Sequence, residues 1–222
     1  MKVLAVGAHP DDIELGCAGA LLLHGARGDE LNLLVLTTGE QGPHAARSRI
    51  AEQEDAAAFL GANLFWGGFE DGAIPEGRDG IMAVEAVLHR TGADVVYAPG
   101  PQDTHQDHRA ASIISMAAAR RLSRILCYES PTSVGFTPQV YVDIEPYLED
   151  KLRTIRAHTS QVLKNHLVDI EAVEAQARYH GFRSRIRYAE AFQAPRFVWD
   201  VAPRTEQAAA AETLRTSMEE VR

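Results

Sequence analysis

Two short polar clusters contain the side chains best suited to chemistry. The first is His9-Pro10-Asp11-Asp12, which comes two residues after an apolar run at residues 3–6. The second, residues 103–108, reads DTHQDH and follows another apolar run at residues 94–97. Each cluster places imidazoles beside carboxylates, which are the groups that bind divalent metals and transfer protons. The sequence therefore suggests a metal-assisted or acid–base reaction.

A ligand set can be assembled from the two clusters. His9, Asp12 and His108 would supply two imidazoles and one carboxylate, and three protein ligands plus a water molecule are typical of catalytic zinc. Each residue alone also has a simpler explanation, because an aspartate before a helix is often its N-cap, as Asp107 could be. The joint occurrence of both clusters favours the metal site.

The predicted elements bring these clusters to one place. Short runs of Val, Leu and Ile without polar alternation are typical of strands covered on both faces. Their alternation with helical patterns predicts a doubly wound, mainly parallel α/β sheet, whose carboxyl edge carries ligand sites. The predicted strands are 3–6, 32–37, 63–66, 94–97 and 124–128, and the predicted helices are 14–26, 48–60, 81–90 and 107–122.

The pattern changes after residue 140, where a strand over 140–144 and helices over 146–161 and 167–184 are predicted. We expect one α/β domain over residues 1–222, with the core sheet and site in 1–130, a C-terminal region of helices and strand completing the pocket in 131–203, and a helical tail in 204–222. Three long polar connections, at residues 39–47, 67–80 and 130–139, are of the length that often serves function. Trp66 and Phe69, beside the second connection, could stack on a ring of the ligand.

Composition limits the partners. The net charge of -9, from 22 basic and 31 acidic residues, argues against binding to nucleic acid or to an anionic membrane. Two cysteines, Cys17 and Cys127, without a CxxC pattern fit a reducing compartment. Neither a membrane span nor a signal peptide is predicted, so we expect a cytoplasmic protein.

The two clusters lie within longer stretches that resemble a known family. VGAHPDDIELGCAGAL at 6–21 and PGPQDTHQDHRAA at 99–111 resemble the signature motifs of the PIG-L/LmbE family of zinc-dependent de-N-acetylases, which act on N-acetylglucosamine conjugates and related amides. Weaker similarities extend the resemblance over about residues 1–195, at TTGEQG (37–42), Arg49-x-x-Glu52, HTSQ (158–161) and Glu190-x-Phe192.

The resemblance implies a role for each site residue and an assembly. His9, Asp12 and His108 would bind one Zn²⁺ per chain, although Fe²⁺ or another divalent ion could occupy such a site. Asp11 would be the general base, and Arg49 would contact the substrate. His105 would be a protonated acid and oxyanion stabiliser oriented by Asp107, whose charge should raise the imidazole pKa. A homo-oligomer is also expected.

We therefore predict a hydrolase that removes an N-acetyl or related acyl group from an amino-sugar conjugate. Zinc lowers the pKa of bound water from 15.7 to about 7, and a carboxylate base adds about 10²–10⁴-fold. Three alternatives stay open: a hydrolase of a non-sugar acyl-amide, a non-catalytic sugar-binding protein, and a phosphoesterase with two metals held by Asp11, Asp12, Asp103, His105, Asp107 and His108. Dinucleotide binding is disfavoured, because GAHPDD stands where GxGxxG is needed.

Overall fold

The computed structural model describes residues 1–42, 46–162 and 168–199. Seven strands form one sheet: β1 (Lys2–Gly7), β2 (Glu30–Thr37), β3 (Asn63–Phe69), β4 (Val95–Pro99), β5 (Arg124–Tyr128), β6 (Val140–Asp143) and β7 (Ala189–Phe197). The helices are α1 (Asp12–Ala26), α2 (Ala46–Leu60), α3 (Arg78–Thr91), α4 (Gln106–Ala118), α5 (Leu148–Ala157), α6 (Thr159–Val162) and α7 (Ile170–Ser184), with a 3-10 turn at Glu145–Tyr147. None of these helices is both long and apolar enough to cross a bilayer.

The strand order confirms the predicted doubly wound, mainly parallel α/β fold. The order is β3-β2-β1-β4-β5-β7-β6, and the first five strands run parallel to one another. The chain moves outward from β1 through β2 to β3, then returns to place β4 on the other side of β1. The crevice at the carboxyl ends of β1 and β4 is therefore the point where the winding direction reverses, and ligands bind at such points.

Burial on both faces explains why the strands are continuously apolar. Val3 and Ala5 of β1 pack into one core with residues of α1 and α2, whereas Leu4 and Val6 pack into the opposite core with residues of α3 and α4. Successive side chains of a strand point to opposite faces, so each face needs its own apolar partner. Burying each of the larger side chains, those of Val3, Leu4 and Val6, contributes about 1.5–3 kcal/mol.

Several boundaries differ from the predicted ones. Strand β7 was not predicted, because Pro195 lies within its nine residues and proline disfavours a strand. It pairs antiparallel with β5 through a register shift between Ile125 and Cys127, and such irregularities tolerate proline. The helix predicted from 146 to 161 divides at His158 into α5 and α6. The predicted tail, 204–222, lies outside the described residues.

A buried ion pair connects β7 to α1 and α5. Glu190 accepts hydrogen bonds from the backbone N–H groups of Gly19 (2.8 Å) and Ala20 (2.7 Å), while Lys151 Nζ donates to Glu190 and to the Leu15 carbonyl oxygen. The exposed fractions of Lys151 and Glu190 are only 2% and 4%. The Glu-x-Phe element of the sequence therefore serves the fold.

Replacing Glu190 with alanine should lower the free energy of unfolding by about 3–5 kcal/mol, because it leaves the Lys151 ammonium buried without its counter-charge. Urea denaturation of both proteins measures the difference. Glu145→Ala is the matched control, since it removes an exposed ion pair with Arg187 and should change stability by at most about 1 kcal/mol. Equal losses for the two variants would contradict this role of Glu190.

Candidate active site

The two polar clusters converge in one open cleft at the carboxyl edge of the sheet. The first cluster forms the turn between β1 and α1, and the second forms the connection between β4 and α4. Because β1 and β4 are neighbouring parallel strands, both connections emerge side by side. The predicted residues that line the cleft are His9, Asp11, Asp12, Arg49, His105 and His108.

The structure brings the predicted ligands His9, Asp12 and His108 into contact. Asp12 Oδ2 lies 3.6 Å from His9 Nδ1, and Asp12 Oδ1 lies 3.3 Å from His108 Nε2. Asp12 is held in place by the backbone N–H groups of Ala8 and His9, which donate to its Oδ2 over 2.8 and 2.9 Å. All three ligand candidates are buried. Their role as metal ligands stays a prediction.

The second nitrogen of each imidazole is held by a further carboxylate. His9 Nε2 lies 3.0 Å from Asp71 Oδ1 and 3.1 Å from Asp107 Oδ2. His108 Nδ1 lies 3.1 Å from Asp103 Oδ2, and the Ser130 hydroxyl donates to the same oxygen. Carboxylates behind metal-binding imidazoles fix the ring and its tautomer, leaving the other nitrogen free for the metal. Two imidazoles and a carboxylate are donors that suit a divalent cation. Asp12 uses a different oxygen toward each imidazole, and the groups whose ligand atoms all lie within 4.8 Å of one another do not include it.

The negative charge of the pocket also fits a cation. Burial opposes protonation of His9, yet the carboxylates of Asp107, Asp12 and Asp71 outweigh it and raise the His9 pKa to about 12. Burial likewise opposes protonation of His108, but Asp12 and Asp103 raise its pKa to about 10. A bound divalent cation would neutralise the same excess of carboxylates.

Asp71 was missed from the sequence. It follows β3 in the connection at 67–80, and its backbone N–H donates to Glu40 Oε1 over 2.8 Å, which ties two long connections together. Potential ligand atoms of His9, Asp71 and Asp107 lie within 4.8 Å of one another, as do those of His9, His105 and His108. The sequence signal that could have identified Asp71 is that it is an acidic residue in a long connection at the same edge of the sheet.

Asp11 has an unusual backbone conformation. Its φ of 97° lies in the left-handed region that residues with a side chain rarely adopt. Its carboxylate lines the cleft, and Oδ1 lies 3.9 Å from an Arg49 guanidinium nitrogen. Burial, together with the adjacent charge of Asp12, raises the pKa of Asp11 to about 6. A carboxylate with this pKa is suited to act as a general base near neutral pH.

His105 and Asp107 do not form the expected pair. His105 is the N-cap of α4, and its Nδ1 accepts the backbone N–H of Asp107 over 3.2 Å, so Asp107 is not the cap. The Asp107 carboxylate instead accepts the N–H of Gly72 over 2.7 Å and faces His9. Burial, followed by the charges on His9 and His108, lowers the pKa of His105, contrary to expectation. Because Nδ1 accepts, a neutral His105 carries its proton on Nε2.

Of the other residues predicted to contact the substrate, one lies in the cleft and two pack against the hydrophobic cores. Arg49 lines the cleft but is buried, and it donates to the carbonyl oxygens of Gly39 (3.1 Å) and Pro10 (2.8 Å). Trp66 and Phe69 pack against the two hydrophobic cores and are not among the described residues that line the cleft. An aromatic stacking platform at these two positions was therefore a wrong prediction.

Comparisons with known proteins cover the part of the chain that forms this site. Residues 4–119 match the PIG-L family, described as GlcNAc-PI de-N-acetylase, and include both clusters. The chain is 35% identical over 167 residues to the uncharacterized deacetylase YaiS of Escherichia coli, covering 71% of this chain and 90% of YaiS. It is 29% identical over 216 residues to diacetylchitobiose deacetylase of Thermococcus kodakarensis, covering 85% and 81% of the two chains.

A solved structure shows the same fold. The conserved protein TT1542 from Thermus thermophilus superposes with a TM-score of 0.82 at 31% identity, covering 90% of this chain and 96% of the other. The match of residues 4–119 spans more than half of the 222 residues and contains every residue of the proposed ligand set. The chain belongs to the PIG-L family of de-N-acetylases.

Proposed function

We propose that this protein is a metal-dependent hydrolase that removes an N-acetyl group from an amino-sugar conjugate. The observation that carries the proposal is Asp12, buried between His9 and His108, with the separate carboxylate of Asp11 beside it in the cleft. The similarity to a diacetylchitobiose deacetylase supports an acetylated amino sugar as the substrate class.

The ligand residues would be His9, Asp12 and His108, holding one Zn²⁺ per chain. When bound, zinc polarises the amide carbonyl and lowers the pKa of a water molecule to about 7. Asp103 and Asp107 orient the two imidazoles through their outer nitrogens. The chain thereby supplies a site whose ligands are fixed before substrate arrives.

Asp11 acts as the general base in this proposal. Its carboxylate takes a proton from the water molecule whose oxygen attacks the amide carbon. His105 donates its Nε2–H to the developing oxyanion, as a neutral imidazole can. The carbon–nitrogen bond then breaks, the proton held by Asp11 passes to the leaving nitrogen, and acetate and a free amine are released. Arg49 borders the same cleft and would contact the sugar.

The remaining parts of the proposal concern the protein as a whole. We propose a cytoplasmic homo-oligomer that takes a small acetylated amino sugar as its substrate. Cys17 and Cys127 are buried free thiols, which is consistent with a reducing compartment. Size measurement in solution tests the oligomer.

Acetate release tests the reaction. The zinc-loaded protein should release acetate from at least one member of a panel of N-acetylglucosamine derivatives that includes diacetylchitobiose, and the panel should rank the groups attached to the sugar. Enzymatic acetate detection provides the measurement, and metal-free protein is the control. A protein with one metal per chain that releases acetate from none of these compounds would refute the proposal.

A two-metal phosphoesterase is the second candidate. The observation that favours it is the additional group of potential ligands formed by His9, Asp71 and Asp107 next to the first set. Two ions that share ligands can stabilise both the attacking and the leaving oxygen of a phosphoryl group. Two metals per chain, together with phosphate release from a phosphomonoester, would favour this candidate over the deacetylase.

A further inference from the structure

One helix holds both polar atoms of the peptide bond that leads into Asp11. Arg49 donates to the carbonyl oxygen of Pro10 over 2.8 Å, and the Asp11 N–H donates to Gln53 Oε1 over 3.3 Å. Arg49 and Gln53 are four residues apart on α2, so their side chains leave the same face of the helix. Helix α2 therefore clamps the Pro10–Asp11 peptide unit.

This clamp acts where the backbone is strained. The φ of 97° at Asp11 is a conformation that persists only when the surrounding structure enforces it. On its carboxyl side, Asp11 is fixed by α1, since its carbonyl oxygen accepts the N–H of Leu15 over 2.9 Å. On its amino side, the fixing contact is the clamp. The direction of the Asp11 carboxylate thus depends on both helices.

A glutamine suits position 53 because its side-chain amide both donates and accepts a hydrogen bond. Its Nε2 donates to Glu14 Oε1 over 2.8 Å, while its Oε1 accepts from Asp11. The Glu14 oxygen accepts and the Asp11 backbone N–H donates, so these two partners define the orientation of the amide. Gln53 and Glu14 are both fully buried, and Glu14 Oε2 lies 3.4 Å from His158 Nε2.

We propose that Gln53 is a positioning residue that holds the Asp11 backbone so that the carboxylate faces the cleft. Gln53 is not among the described residues that line the cleft, so it acts through its hydrogen bond to Asp11. The proposal rests on the proposed function, in which Asp11 is the base.

Gln53→Met, made in the zinc-loaded full chain, tests the effect on turnover. It removes both hydrogen bonds with little change in side-chain length, and we expect kcat for acetate release to fall by about 10²-fold, since small misplacements of a catalytic group have effects of this size. KM and the metal content should stay near the wild-type values. A change in KM with unchanged kcat would overturn the proposal.

Exchanging the hydrogen-bond donor and acceptor between positions 14 and 53 provides a rescue experiment. Gln53→Glu alone sets two buried carboxylates against each other, whereas Glu14→Gln alone keeps an amide oxygen that can accept the hydrogen bond from Gln53. The double variant E14Q/Q53E restores a donor at position 14 and an acceptor for the Asp11 N–H, so it should recover most of the kcat lost in Gln53→Glu. A double variant whose kcat does not exceed that of Gln53→Glu would count against the hydrogen-bonded chain.

Asn32→Leu is the matched control for lost stability. Asn32 is also a buried amide, lies in the first half of β2, and donates to the Val3 carbonyl oxygen over 3.2 Å. Asn32→Leu should lower the Tm without lowering kcat. If Gln53→Met behaves in the same way, Gln53 is merely structural and the proposal is wrong.

Amide hydrogen exchange separates this proposal from the proposed reaction. In the zinc-loaded protein, NMR should show that the Asp11 N–H exchanges at least about 10-fold faster in Gln53→Met than in wild type, with no such change in Asn32→Leu. Unchanged exchange would refute the clamp whether or not a substrate is found. If the Asp11 N–H exchanges faster in Gln53→Met as expected, but the wild-type protein releases no acetate, the clamp is supported and the deacetylase proposal is refuted.

Discussion

Asp11→Asn is expected to lower kcat for acetate release by about 10²–10⁴-fold while the protein keeps its metal. The asparagine amide has nearly the same shape as the carboxylate but cannot take a proton from water. Asp11 is not one of the three proposed ligands, so its replacement leaves the donors of His9, Asp12 and His108 in place. Steady-state acetate release and zinc content, measured on the same preparation, provide the comparison.

Asp55→Asn is the control for Asp11→Asn. Asp55 is an exposed residue of α2, so the same loss of one negative charge at that position should leave both kcat and zinc content unchanged. An Asp11→Asn protein with undiminished turnover would exclude Asp11 as the base. A variant that loses zinc would instead place Asp11 among the groups on which metal binding depends.

His108→Ala is expected to abolish both zinc binding and acetate release. The substitution removes one of the three proposed ligands and leaves Asp12 without its partner at 3.3 Å. Metal ions contribute several kcal/mol to such reactions, so the rate should fall by at least about 10³-fold. Zinc per chain by elemental analysis, acetate release, and the shift of Tm on adding zinc are the measurements.

Asp103→Asn provides a graded comparison for His108→Ala. Asp103 contacts His108 Nδ1 from behind, so its replacement should keep the ligand and weaken zinc affinity by about 10–100-fold. Excess zinc should then restore most of the activity of Asp103→Asn but not that of His108→Ala. A His108→Ala protein that still binds one zinc per chain and remains active would refute this ligand set.

The sequence by itself determined the family and the fold class. The two polar clusters are recognisable from residue type and spacing alone, and the family match covers both of them. The parallel sheet was predictable because strands covered on both faces must be apolar along their whole length. Together these local signals place His9, Asp12 and His108 at one edge, and the structure brings them together.

Only the tertiary structure decided which way the side chains face. Asp107 follows His105 closely in sequence, but α4 begins between them and turns the Asp107 carboxylate toward His9 and Gly72. Asp71 enters the site from another connection, and its distance along the chain gives no indication of this contact. Such orientations depend on backbone direction and on neighbours distant in sequence, which residue spacing does not encode.

The same limit applies to the residues that support the site. Gln53 lies in a helix whose sequence pattern indicates only burial, and its contact with Asp11 spans 42 positions in the chain. The sequence around Glu190 matched a family element without indicating its purpose, and only β7 places this carboxylate against the backbone of α1. Residue types and spacing identified the chemistry, whereas packing between distant elements determined how each reactive group is held.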